Sequence, residues 1–126
     1  MRLAKWVFLL AGISGILMVI PPYFLEAKTS EDYPPPINHP EYYYGFFGVT
    51  LAWQFIFLVI GSDPVRYRRV MLPSMLEKAS FAGAIPVLYA LGRVPAMLLG
   101  FASMDATWLL LFIVAYLRTP KEMRHV

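Results

Sequence analysis

The chain has 126 residues, of which 59% are hydrophobic and only 15% charged, with a formal net charge of +3. Average soluble domains hold roughly 45–50% apolar and about 25% charged residues; a domain this short cannot hide so much apolar surface by itself, which excludes a free soluble globule. The absence of cysteine excludes disulfide frameworks, thiol redox chemistry, iron–sulfur clusters and Cys-type zinc sites, and the length allows a single domain, residues 1–126.

Charges fall in blocks separated by membrane-length gaps. From Trp6 to Leu25 there are 20 residues without a charge, the length that crosses a hydrocarbon core of about 30 Å. Arg2 and Lys5 before this run also suit a secretory signal. However, the small-x-small cleavage pattern is missing, the run is long and Pro21-Pro22 interrupts it, so a retained helix is expected. The segment 26–42 follows as an outer loop. It is acidic, with Glu26, Glu31, Asp32 and Glu41 against Lys28, and Pro34-Pro35-Pro36 and Pro40 favour an extended, polyproline-like course. Tyr42-Tyr43-Tyr44 marks the return to the membrane, where an aromatic belt is the expected role.

A second uncharged run reaches Ser62 and gives a span over 43–62. An inner interfacial segment, 63–73, begins with Asp63-Pro64, an N-cap followed by a proline suited to a first helical position. Its Arg66, Arg68 and Arg69 suit anionic lipid head groups. Ser74-Met75-Leu76-Glu77 matches a capping box and predicts a third span over 74–92, with Glu77 as a cap and Pro86 as a kink. The fourth span is expected over 95–117, because a start at Asp105 would leave a helix of about 18 Å while a start at Pro95 gives about 35 Å. Arg118-Thr119-Pro120 ends it.

Four spans place Arg2, Lys5, Arg66, Arg68, Arg69, Lys78, Arg118, Lys121 and Arg124 on one side and only Lys28 and Arg93 on the other. The positive-inside rule then gives both termini in the cytoplasm. The expected fold is an all-α, polytopic, antiparallel four-transmembrane-helix bundle, N-in/C-in. The basic residues are topological signals rather than a nucleic-acid footprint, and the bilayer is the first partner.

The depth arithmetic brings polar residues together. Asp105 lies ten residues from Pro95, and Gln54 ten residues from Tyr44 on a span entering from the same side, each about 15 Å down; Ser14 lies about 12 Å from the opposite face. Ser14, Gln54 and Asp105 form a candidate cluster near mid-membrane, with Lys78 as the nearby cation on span three. An aspartate at that depth is costly unless it is protonated, paired or wet, and Gln54 offers an acceptor to its acid form. The cluster reads either as a proton-linked or ligand-binding site or as a polar clasp between helices; a shorter span four would put Asp105 near the outer surface. His39 and Glu41 make a poor metal site, since His125 lies across the membrane and further ligands are lacking. No histidine within a span suits haem. No phosphate-binding loop or nucleophile elbow is present, so neither a cofactor nor an enzymatic activity is expected. Ala11/Gly15, Gly48/Ala52 and Ala79/Gly83 stand four apart and let helix backbones approach, first within the bundle itself.

His39-Pro40-Glu41-Tyr42-Tyr43-Tyr44-Gly45-Phe46, Ala52-Trp53-Gln54, Asp63-Pro64-Val65-Arg66-Tyr67-Arg68 and Leu76-Glu77-Lys78 together resemble an uncharacterised family of small bacterial four-helix inner-membrane proteins. The resemblance runs through nearly the whole chain, including Tyr-Leu-Arg-Thr at the end of span four. It implies membrane topology and bacterial origin and carries no activity or functional residue. The leading expectation is therefore a non-catalytic structural or accessory subunit of a larger inner-membrane complex. The alternative is a small transporter or a lipid- or quinone-binding protein that uses the Asp105/Gln54 level.

Overall fold

The computed structural model describes residues 2–121, so Arg124 and His125 lie outside the described residues. Among the described residues the elements are all helical: α1 (Arg2–Tyr23), α2 (Glu26–Asp32), α3 (Pro40–Ser62), α4 (Met71–Ala90) and α5 (Leu98–Arg118), with a single 3-10 turn at Arg68–Val70. α1, α3 and α5 are long and apolar enough to cross a membrane. α4, at 20 residues, is of comparable length but carries Glu77 and Lys78.

Two pairs of helices form the body. α1 packs along α3, α4 packs along α5, and α1 also meets α5. Glycine makes the first pairing close. A Cβ at Gly12 would lie 2.7 Å from the Gln54 carbonyl oxygen, and one at Gly61 would lie 2.7 Å from Leu9 Cγ. Glycine fits these close approaches, and a methyl group at either position would require the neighbour to move. Three phenylalanines then lock α1, α3 and α5 together. Phe8 stacks on Phe112 at 4.3 Å, and Phe57 meets Phe112 edge-on at 5.0 Å. Met71, at the start of α4, is fully buried in the same cluster. By contrast, α3 and α4 meet only sparsely.

The helix boundaries depart from the sequence expectations in four places. First, the acidic segment expected as a loop, extended in parts at its prolines, forms two turns of helix over Glu26–Asp32, closed by an exposed Lys28–Asp32 pair at 3.3 Å; residues 33–35 then bend, and the Pro34–Pro35 peptide is cis. Thr29, Ser30, Glu31 and Asp32 carry no backbone restriction of the kind Pro34 to Pro36 impose, so the helix stops where the prolines begin.

Second, α4 starts at Met71 rather than Ser74. The 3-10 turn runs directly into it, and Ser74, fully buried, donates back to the Val70 carbonyl at 2.8 Å. The capping box is therefore not formed. Pro73 falls in the first turn, where the missing N–H costs nothing. Asp63 does cap locally: its side chain accepts from the Arg66 N–H at 3.3 Å, starting the turn that leads to the 3-10 segment. α4 ends in a Schellman motif, with Gly92 at φ +72° and the Arg93 N–H bonded to the Leu88 carbonyl at 2.8 Å.

Third, Pro95 to Met97 make a tight turn of i to i+3 bonds into α5, which begins at Leu98. Fourth, α3 begins at Pro40, three residues before the expected 43, with the proline at its first position.

Candidate functional site

The sparse meeting of α3 and α4 leaves a cavity of about 870 Å³, lined by side chains from all five helices. Thr29, Tyr33 and Ile37 from α2 and the loop after it cover one end. Tyr43 holds that cover in place: its hydroxyl donates to the Pro22 carbonyl at the end of α1 and lies 3.2 Å from the Thr29 hydroxyl. The Ile37 N–H donates to Ser30 Oγ at 3.0 Å and closes the loop on itself. Tyr43 is thus a fastener, whereas Tyr42 remains exposed as an interfacial aromatic would.

Most of the wall is apolar, with aromatic contributions from Phe46, Phe81, Trp53, Phe101 and Trp108. Among the described residues its charged members are Glu77, Lys78 and Asp105. The Lys78 ammonium stands 3.5 Å from Asp105 Oδ1 and 3.6 Å from Glu77 Oε2, and 5.3 Å from the centre of the Phe57 ring. Lys78 is 6% exposed.

All four residues expected from sequence, Ser14, Gln54, Asp105 and Lys78, line the cavity. Their bonding differs from the expectation. Asp105 pairs with Lys78 rather than with Gln54. Gln54, only 1% exposed, donates from Nε2 to the Thr50 carbonyl at 2.8 Å, and its Oε1 packs over Gly15 with no hydrogen-bond partner. The Ser14 hydroxyl donates to the Ala11 carbonyl at 3.2 Å. Glu77, expected as a cap, is a member of the cluster, and its Oε2 is likewise buried without a hydrogen bond. The signal that marks it is the adjacency of two opposite charges, Glu77-Lys78, in an otherwise apolar stretch.

The three arginines separate. Arg68 is half-buried, with its guanidinium carbon 3.8 Å from the Tyr116 ring centre and Nε donating to the Thr119 carbonyl at 2.8 Å. Its head is turned onto the end of α5. Arg66 and Arg69 remain exposed. His39 and Glu41 form an exposed pair at 3.1 Å, with the imidazole stacked on Tyr42.

The small-residue pairs also divide. Ala11 and Gly15 are used within the body, Ala11 in the core and Gly15 beneath Gln54. Nothing lies within 4 Å of a Cβ built at Gly48 or Gly83. These two sites leave open surface on α3 and α4.

No protein-family model matches the chain, and no curated protein or solved structure matches it either.

Proposed function

We propose that this chain is a four-helix protein of the bacterial inner membrane, with both termini in the cytoplasm, that binds a small amphipathic molecule, a lipid or quinone among the candidates, between its helices. The cavity carries the reading. Ligand pockets typically enclose about 300–1,000 Å³ with an apolar lining and a few convergent polar groups, and a space of about 870 Å³ with one charged cluster in its wall meets both conditions. Charged side chains within membrane helices are costly and usually face a pathway or a partner. The proposed role is non-catalytic. The charge asymmetry of the loops supports the N-in/C-in orientation, and the motif resemblance supports a bacterial origin.

Trp53 and Trp108 both line the cavity, which provides the test. Titrating the reconstituted protein with 1-dodecanol, in a Trp6→Phe background, is expected to change their emission saturably. Thr50→Phe, which fills the space, is expected to abolish the change. An unsaturable response identical in protein-free bilayers rejects the reading.

A second reading, an accessory subunit packed against other membrane helices, is favoured by the open surface at Gly48 and Gly83. Small residues exposed on a helix face are where a further helix approaches closely. Purification from native membranes in mild detergent tests it, and a lone monomer rejects it.

A further inference from the structure

The unmet polar groups around the cavity are all of one kind. Gln54 Oε1 and Glu77 Oε2 are buried acceptors without hydrogen-bond partners. Asp105 is a third acceptor group, and its contact with the ammonium is a 3.5 Å ion pair. Glu77 and Asp105 share one donor, Lys78, which stands between the two carboxylates. With both carboxylates ionised, one positive charge faces two negative ones, leaving a formal charge of −1. Buried acceptors left unpaired are costly, and an uncompensated charge in an apolar wall is costlier.

We propose that the cavity takes an amphiphile whose polar end is a cationic nitrogen bearing N–H donors, an alkylammonium in chemical class. This inference rests on the cavity being a binding site. The head group supplies a donor and the missing positive charge to the Glu77–Asp105 pair, and the alkyl body lies against Phe46, Phe81 and Trp108. A quinone is a poorer occupant. Its carbonyl oxygens need donors, and Lys78 is already shared. An anionic head group adds to the excess negative charge. A bare metal ion fits no better: among the described residues no three His, Cys, Asp or Glu side chains come together.

The test uses the full chain in phosphatidylcholine nanodiscs, with the Trp53 and Trp108 emission as readout and empty nanodiscs as control. Probes are dodecylammonium, dodecyltrimethylammonium, 1-dodecanol and dodecanoate. The expected result is saturable binding of dodecylammonium at least tenfold tighter than that of 1-dodecanol or dodecanoate. Glu77→Gln is expected to weaken the amine about tenfold and leave 1-dodecanol unchanged; Asp105→Asn reads the same effect should Glu77→Gln not fold. Equal binding of amine and alcohol, insensitive to either variant, overturns the cationic head group while leaving the cavity as a binding site. Equal binding of the trimethylated probe overturns the requirement for N–H donors. No saturable binding by any probe removes the binding reading itself. Replacing part of the phosphatidylcholine by phosphatidylethanolamine separates two sources of the same chemistry. Competition with dodecylammonium points to a lipid head group, and its absence points to a free amine; either supports the shared ammonium chemistry.

Discussion

Lys78 on α4 stands 3.5 Å from Asp105 on α5, and this contact ties the two helices together across the wall of the cavity. The side chains are 8% and 22% exposed. Breaking a pair this well buried is harmful because a charge is left behind, whereas replacing both partners by apolar residues of similar size is tolerated.

Lys78→Met is therefore expected to destabilise the protein by about 3 kcal/mol, since it strands Asp105 and Glu77 together. Lys78→Met with Asp105→Leu is expected to recover part of that loss, with Glu77 still unpaired. Thermal unfolding in detergent, followed by circular dichroism, measures both. A double variant no more stable than the single one contradicts the assignment of Asp105 as the partner.

The wall between α1 and α3 makes a different distinction. A Cβ at Gly15 would lie 1.8 Å from Gln54 Oε1, the far end of a flexible side chain, whereas one at Gly12 meets the Gln54 backbone oxygen at 2.7 Å. Gly15→Ala is expected to cost about 1 kcal/mol, because Gln54 can swing away at the loss of its bond to Thr50. Gly12→Ala is expected to cost about 2 kcal/mol, because a backbone must move. Adding Gln54→Ala to each variant tells them apart: it relieves Gly15→Ala and does nothing for Gly12→Ala.

Much of this arrangement is readable in the sequence, and the failures have physical reasons. The uncharged runs through Ile13 and Phe55 announce helices of membrane length. Counting residues from the helix ends puts Ser14, Gln54 and Asp105 around one space, because rise per residue is a fixed property of the helix. Glu77 escapes this counting. The pattern Ser74-x-x-Glu77 is satisfied equally by a helix start and by a helix interior, and the choice rests on whether residues 71–73 already turn. The 3-10 segment makes them do so. Arg68 escapes for a tertiary reason, since its partners Tyr116 and Thr119 lie some 50 residues later in the chain. Gln54 lines the cavity without meeting Asp105, because depth along a helix fixes level and not the direction in which an amide points.

Orientation in the membrane is open to a direct measurement because the chain contains no cysteine. A single Lys28→Cys is expected to react with a membrane-impermeant maleimide added to intact spheroplasts, and a single Lys121→Cys only after lysis. Both positions are exposed in the fold, so accessibility to the reagent reports the side of the membrane. Labelling of Lys121→Cys in intact spheroplasts contradicts the N-in/C-in arrangement.

Arg68 fastens the turn before α4 to the end of α5 through two features that lysine does not share. Its Nε–H donates to the Thr119 carbonyl at 2.8 Å, and its planar head lies over Tyr116 at 3.8 Å. Thr119 is buried and its own hydroxyl donates to the Ala115 carbonyl at 2.6 Å, so the carbonyl that Arg68 satisfies belongs to a helix end enclosed by protein. Arg68→Lys keeps the charge and gives up the stacking and the fixed donor geometry. The loss is expected to be about 1 kcal/mol. It is also expected to be local. Hydrogen exchange should accelerate over residues 115–121 and over the 3-10 turn, while amides around Phe8, Phe57 and Phe112 keep their protection. Uniform acceleration throughout the protein would show instead that Arg68 supports the whole fold, and unchanged exchange at 115–121 would remove its role as the fastener.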